Sequence, residues 1–352
     1  SFICRTKTNE FMTDTETRTD LPIAPGTPCA PAGRTRRSSH PAASRPADLC
    51  AAPPTLLQLL SLRIEELRRG KHYGTARNYA RSAASFARFL NGEELPLAAL
   101  TEETVADYNA HLVSRGVSRN TVSFYMRNLR AAYNRAVALR LVEQTHPFRH
   151  VYTGVDRTRK RAVGSDLMAR LGRLDLPPGS PLCLARDLFL FSFCTRGMAF
   201  VDIAYLRKTD LRGDSIRYLR RKTGQPITIR IEPCIRSILD RYRSSAADTP
   251  YVFPILTATD APAAYAEYLA ALDNHNRRLR RLSALLHTAS PLTSYTPRHS
   301  WATEARNRDI PLSVISAALG HTSERTTQIY LATLSHSVID DANRRILEEL
   351  AL

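Results

Sequence analysis

Apolar residues recur at helical spacing from Leu56 to about residue 141. They return every three or four positions, which is the period of an amphipathic helix. Gly70, Asn91-Gly92 and Gly116 interrupt the pattern, and glycine commonly closes a helix. The pattern therefore predicts four helices, at 56–70, 75–90, 101–114 and 118–141. Four helices of this length can form a small bundle.

A second stretch, starting near residue 162, mixes two periods. The apolar segment from Leu182 to Phe193 predicts a buried helix. Residues 215–219 and 226–231 alternate apolar and polar side chains around a cationic turn, Arg220-Arg221-Lys222-Thr223-Gly224-Gln225, which predicts a β-hairpin. Further helices are predicted at 235–242, 263–286, 301–308, 313–319, 323–331 and 337–350. The expected fold is mainly α with a small antiparallel β-sheet.

Two segments lack this patterning. Residues 1–50 are rich in Pro, Thr, Ser, Ala and Arg and hold few large apolar residues, which predicts a disordered tail. Residues 148–161, after His146-Pro147, are polar and basic and predict a linker. We therefore expect a helical domain at 55–147 and a second domain at 162–352.

Basic residues exceed acidic ones throughout the chain. The formal net charge is +17 over 352 residues, and counting by region gives +2 for 1–50, +6 for 51–150 and +9 for 151–352. An excess that is spread over both expected domains favours a long polyanion as the partner. We expect this partner to be a nucleic acid.

The cysteines and the apolar runs exclude several protein classes. No two of the six cysteines form a C-x-x-C pair, so we expect free thiols in a reducing compartment and no metal site. No run approaches the ~18 apolar residues of a membrane span, and the N-terminus lacks the apolar core of a signal peptide. The expected location is the cytoplasm, with nucleoid association and no membrane partner.

The stretch from 292 to 330 carries the candidate chemistry. Arg298, His321 and Tyr330 combine a planar cation that suits phosphate, a group that can exchange a proton, and a hydroxyl nucleophile. Transfer of a DNA phosphodiester without a metal requires these parts, together with an acid for the leaving oxygen.

Three motifs in this stretch resemble those of the tyrosine recombinases, the phage integrase family. They are Arg-His-Ser-Trp-Ala-Thr at 298–303, Leu-Gly-His-Thr-Ser at 319–323 and Thr-Thr-Gln-Ile-Tyr at 326–330. The version here most resembles integrases of bacterial mobile elements. The resemblance implies a helical, SAM-like core-binding domain at 55–147 and an α+β catalytic domain at 162–352 whose C-terminal helix is exchanged between subunits. It also implies double-stranded DNA as the partner, a homotetramer on that DNA, accessory DNA-bending proteins as possible partners, and no cofactor.

The resemblance also implies roles for individual residues. Tyr330 would attack phosphorus and form a 3′-phosphotyrosyl link, and Arg298 would bind the phosphate. Lys222 at the hairpin turn would protonate the departing 5′ oxygen, with Arg220 and Arg221 as competitors for that role. For His321 two roles stay open: a hydrogen bond to a phosphate oxygen, or acceptance of the tyrosyl proton.

At two positions the chain departs from the family's pattern. Tyr295 stands where the family commonly has His, and a phenol can donate a hydrogen bond but does not titrate near neutrality. The family's first arginine usually lies three residues before an acid, a position that Ala199 occupies if Asp202 is that acid. Arg196 lies one helical turn earlier, and we expect it to reach the phosphate from there.

These observations support a site-specific DNA recombinase that cuts and rejoins strands, by integration, excision or inversion. A type IB topoisomerase is an alternative because it shares the phosphoryl-transfer site. A DNA-binding relative whose catalytic site has decayed is another, motivated by Tyr295 and Arg196.

Overall fold

The computed structural model describes residues 54–156, 162–321 and 327, and the chain divides into two compact units after Asp156. Several expectations lie outside the described residues. They concern the tail at 1–50, the helices at 323–331 and 337–350, part of the linker, and Tyr330.

The first unit contains the four helices that the apolar spacing predicts. They are α1 (Leu56–Arg69), α2 (Tyr73–Phe89), α3 (Glu102–Ser114) and α4 (Arg119–Ala138). Side-chain caps explain three of the starts, since Thr55, Thr101 and Ser118 each accept a hydrogen bond from a backbone N–H of the first turn.

The core of the first unit is apolar and includes one internal polar pair. Leu60, Tyr108 and Met126 are fully buried at its centre. The Tyr108 hydroxyl donates to Ser85 Oγ at 2.8 Å, so the phenol is buried with its hydrogen bond satisfied. This unit has a core of its own.

The second unit adds seven helices and three strands in its described part. Its first elements are α5 (Ser165–Arg173), α6 (Pro181–Cys194), α7 (Phe200–Ala204), β1 (Leu211–Arg212), β2 (Ser215–Leu219) and β3 (Pro226–Arg230). Its later elements are α8 (Pro233–Tyr242), α9 (Ala261–Leu285), α10 (Thr296–Asn307) and α11 (Leu312–Leu319). No helix within these described ranges has the length and apolarity to cross a membrane.

The predicted hairpin is confirmed as β2 and β3, which pair antiparallel with Ile216 opposite Ile229. Both isoleucines are buried in the core of the unit. β1 pairs with the outer edge of β2 and completes a three-stranded antiparallel sheet. With two residues, β1 is too short to show an alternating pattern in the sequence.

Three helices differ from the sequence prediction. The prediction missed α5 and α7, which span only nine and five residues. It started α10 at Trp301, whereas the helix begins at Thr296. Pro297 is compatible with this start because a proline in the first turn lacks only an N–H that has no helical partner. The earlier start places Arg298 in the first turn of α10.

Candidate active site

Arg298 joins three segments of the second unit. Its side chain is 4% exposed. Nη1 donates to the Gly197 carbonyl at 2.8 Å, in the turn between α6 and α7. Nη2 donates to the Leu319 carbonyl at the end of α11 and lies 2.9 Å from His321 Nε2. The guanidinium is therefore held by bonds from two loops.

The turn before α7 requires glycine at position 197. Gly197 has φ +76°, and a Cβ there would lie 2.7 Å from Arg298 Cα. Arg196, the preceding residue, has φ +60°. The two left-handed residues let the backbone approach α10 closely enough for the carbonyl of Gly197 to accept from Arg298.

His321 follows the end of α11, where Gly320 has φ +63°. An arginine can only donate, so His321 Nε2 accepts from Arg298. The proton then lies on Nδ1, which donates to Thr327 Oγ1 at 2.8 Å. Burial, and after it the charges of Arg298, Arg220 and Lys222, together lower the pKa of His321 to about 3. The ring is therefore neutral, with its lone pair directed at Arg298.

The three basic residues of the hairpin tip have three different surroundings. Arg220 is buried, and its Nη1 donates to the Gly320 carbonyl at 2.5 Å. The guanidinium of Arg221 lies 3.7 Å from the centre of the Tyr205 ring, a cation–π contact. Lys222 is exposed as a whole residue, yet burial of its ammonium and then Arg298 lower its pKa to about 8.

Asp202 on α7 supplies a buried carboxylate beside these cations. Its Oδ1 accepts the backbone N–H of Arg221 at 2.9 Å, which holds the hairpin tip against α7. Burial raises the pKa of Asp202, while Arg220, Arg298 and Arg221 act in the opposite direction. The carboxylate partly balances the positive charge of the site.

The remaining predicted residues lie differently. Arg196 is half-buried and donates through Nη2 to the backbone carbonyl of Thr228 on β3. Tyr295 is half-buried at the start of α10, with its ring centre 6.4 Å from that of His299. Tyr330 is outside the described residues. The structure thus brings Arg298, His321 and Lys222 together, and their catalytic roles stay predictions.

From the sequence, Arg220 was considered only as an alternative to Lys222 for protonating the leaving oxygen, and its burial was not predicted. The burial of Arg220 could have been predicted from the sequence, because residues of a strand alternate between two faces. Ile216 is buried and Tyr218 half-buried, so position 220 continues the inward-facing series past the end of β2. Gly197 also went unnoticed, since its close approach to Arg298 spans 101 residues of sequence.

Cations dominate the polar groups of the site. Within the described ranges, no three His, Cys, Asp or Glu side chains cluster in a way that would hold an ion. Besides the Asp202 carboxylate, the site presents guanidinium, ammonium, imidazole and backbone carbonyl groups. Such a set can bind and polarise a phosphodiester through charge and hydrogen bonds.

Two family models match the chain. The phage integrase SAM-like domain matches residues 55–151, and the phage integrase family matches residues 197–336. No curated protein sequence matches it.

Solved structures of integrases share the fold. A lambda integrase dimer bound to a COC′ core site is 15% identical, with a TM-score of 0.55, over 79% of this chain and 77% of that chain. A lambda integrase tetramer bound to a Holliday junction is 15% identical, with a TM-score of 0.57, over 80% and 78%. The Tn1549 transposon integrase in complex with circular intermediate DNA is 16% identical, with a TM-score of 0.57, over 83% and 99%.

The two family models match in order, one on each unit, and the mainly helical fold with its small sheet agrees with them. The chain belongs to the tyrosine recombinases, the phage integrase family.

Proposed function

We propose that this protein is a site-specific DNA recombinase that cuts and rejoins strands through a 3′-phosphotyrosyl intermediate. The observation that carries the proposal is the buried group of Arg298 and His321, with Nη2 and Nε2 2.9 Å apart and Lys222 close by. These residues come from α10, from the loop after α11 and from the hairpin tip. Their convergence supplies cations, a proton acceptor and an acid at one place.

In the proposed reaction, the Tyr330 hydroxyl oxygen attacks the scissile phosphorus. The new bond joins that oxygen to phosphorus, and the bond from phosphorus to the 5′ oxygen breaks. Lys222 gives a proton to the leaving 5′ oxygen, and His321 accepts the phenol proton. Attack by the freed 5′ hydroxyl of another strand reverses these steps, so no high-energy cofactor is consumed.

The protonation of His321 favours one of its two predicted roles. A neutral ring whose Nε2 already accepts from Arg298 cannot donate from that nitrogen to a phosphate oxygen. A bound phosphate would compete for the Arg298 donor and would free Nε2 to accept the tyrosyl proton. We therefore propose His321 as the base for Tyr330, with the negative charge of the bound phosphate raising the low pKa that burial and the nearby cations give the ring.

We further infer that double-stranded DNA is the partner and that a homotetramer is the active assembly. The net charge of +17 suits a polyanion. The similar lambda integrase structures hold a dimer on a core site and a tetramer on a Holliday junction. A recombinase must hold two duplexes at once, and four subunits supply one nucleophile for each strand.

The test is covalent trapping on a suicide substrate. A binding site would be selected from random duplex DNA with the purified protein and then nicked beside the scissile bond, so that the freed fragment diffuses away. Wild type should form a denaturant-resistant adduct with DNA, and Tyr330→Phe should form none. Tyr125→Phe, which removes a hydroxyl from the first unit, is the matched control and should form the adduct.

Three results would reject the proposal. An adduct formed by Tyr330→Phe would show another nucleophile. Relaxation of supercoiled DNA of any sequence by a monomer would identify a type IB topoisomerase. Salt-sensitive DNA binding without cleavage by the wild type would identify a relative whose catalytic site has decayed.

A further inference from the structure

The second guanidinium of the proposed site has no obvious source. The resemblance places an arginine at position 199, where this chain has alanine, the residue directly before α7. Arg196 is close in sequence, but it is half-buried and its Nη2 already donates to the Thr228 carbonyl. The phage integrase match begins at Gly197, directly after it.

Arg220 and Arg298 are anchored on neighbouring carbonyl groups. Arg298 Nη2 donates to the carbonyl of Leu319, and Arg220 Nη1 donates to that of Gly320. Consecutive residues of a chain lie about 3.8 Å apart, so the two guanidinium groups are bound to adjacent carbonyl groups of one short turn. The next residue of that turn is His321.

Gly320 allows Arg220 to enter this position. A Cβ at residue 320 would lie 3.4 Å from Arg220 Cδ and 2.8 Å from Ile227 Cδ1. The stem of Arg220 therefore packs against a backbone that has no side chain. With 7% of its surface exposed, Arg220 is as enclosed as an arginine that serves a specific site.

Charge interactions place Arg220 within the same group. Its charge acts with that of Arg298 to lower the pKa of Asp202, and with those of Arg298 and Lys222 to lower the pKa of His321. The bond to Gly320 uses one of the five N–H donors of the guanidinium. The planar group thus has further donors for an anion that Arg298 also contacts.

We propose that Arg220, carried by the hairpin tip, is the second phosphate-binding arginine of this recombinase and replaces the one that the family carries before α7. This inference rests on the proposed function. In it, Arg220 and Arg298 each donate to a non-bridging oxygen of the scissile phosphate, and both stabilise the charge of the pentavalent transition state. Arg196 has a structural role at the edge of β3.

The experiment measures single-turnover adduct formation on the suicide substrate at saturating protein. The variants are Arg220→Ala, Arg220→Lys, Arg196→Ala and, as a matched control, Arg217→Ala on the outward face of the same strand. Arg220→Ala should slow adduct formation by about 10²–10³-fold, as expected when one charge-stabilising donor is lost. The rate of adduct formation for Arg220→Lys should lie between those of wild type and Arg220→Ala. Arg196→Ala should lose less rate than either Arg220 variant, and Arg217→Ala should react at the wild-type rate.

A methylphosphonate at the scissile position separates contact with phosphate from a structural role. This substitution replaces one charged oxygen by a neutral methyl group. The transition state then carries less negative charge, so it depends less on the guanidinium that Arg220→Ala removes. Arg220→Ala should form adduct at least about tenfold faster on this substrate than on ordinary phosphate, and Arg217→Ala should gain nothing. Both stereoisomers would be tested, because Arg298 and Arg220 face different oxygens.

The outcomes distinguish the inference from the function on which it rests. If wild type forms no adduct, the proposed function fails. If wild type is active and both Arg220→Ala and Arg220→Lys form adduct as fast as wild type, the inference fails. It also fails if Arg196→Ala is slower than Arg220→Ala and the methylphosphonate substrate restores its rate. Loss of activity in Arg220→Ala without rescue by either methylphosphonate isomer would also overturn it, since Arg220 would then only hold the His321 turn.

Discussion

Among single residues, Lys222 has the chemistry that depends most on its surroundings. Burial, and secondly Arg298, lower its pKa to about 8. A general acid must be protonated before it transfers a proton, and Lys222 loses its proton as the pH rises through that value. The adduct-forming rate should therefore fall above about pH 8, approaching tenfold per pH unit, when single turnovers are measured across that range.

A modified leaving group tests the same role without a change of pH. Replacing the 5′ bridging oxygen by sulfur creates a thiolate that departs without a proton. Lys222→Ala should be slow on ordinary DNA and close to wild type on this substrate, and its rate should no longer fall with pH. Equal impairment on both substrates would show that Lys222 is not the acid.

Gly197 determines where Arg298 can be held. Gly197→Ala adds a Cβ 2.7 Å from Arg298 Cα at φ +76°. Gly213→Ala is the matched control, since Gly213 has φ +56° and no atoms within 4 Å of the added carbon. Denaturant unfolding should show a loss of about 1–2 kcal/mol for the control, from backbone strain alone. Gly197→Ala should lose a further ~1–3 kcal/mol from overpacking, and its adduct formation should fail.

If the two alanine variants lose equal stability, the close approach of the 197 turn to α10 is not a constraint. The comparison is informative because both glycines lie in left-handed conformation within the same unit. Only the neighbouring atoms differ.

At the scale of elements, α6 is the helix on which the second unit is assembled. Its residues contribute to two of the unit's apolar clusters, through Leu188 and Phe191 in one and Ala185 and Phe189 in the other. Asp187 adds a polar connection to α8, since it accepts from Arg241 and from the hydroxyl of Tyr242 at 2.7 Å. Burial alone would raise the pKa of Asp187, but hydrogen bonds from Arg241, Tyr242 and Arg186 lower it.

Removal of this carboxylate should destabilise the unit strongly. Asp187 is 1% exposed, and Asp187→Ala leaves three donors without their acceptor. We expect a loss of about 3–5 kcal/mol in the free energy of unfolding, measured with denaturant. Asp240→Ala removes an exposed carboxylate that pairs with Arg243, the residue after α8, and should cost less than about 1 kcal/mol. Similar losses for the two variants would show that the link between α6 and α8 contributes little.

The hairpin shows how far strand patterning reaches. Alternation predicted β2 and β3 and the cationic turn between them. The same alternation, continued by one step, points Arg220 inward, yet the surroundings of Arg220, Arg221 and Lys222 depend on α7, Tyr205 and the 320 turn. Those partners are distant in sequence, so local periodicity carries no information about them.

At the scale of the whole molecule, positive charge occurs on both units. Neutralising DNA phosphates releases condensed counterions, and the released ions make binding sensitive to salt. We expect affinity for the selected duplex to fall by about 10³-fold or more between ~50 and ~200 mM salt, for six or more phosphate contacts. Fluorescence anisotropy with labelled DNA would measure it. A nearly flat dependence would contradict DNA binding through many phosphate contacts.

The sequence by itself determined the helical bundle, the hairpin, the basic character and the family motifs. Helix and strand periods are local, and the motifs at 298–303, 319–323 and 326–330 lie within 33 residues of one another. Tertiary structure decided which arginines share the site. Arg220 and Gly197 lie 100 and 101 residues from the groups they contact, Gly320 and Arg298. Such contacts form only when the second unit is folded, because a buried cation needs partners from several elements at once.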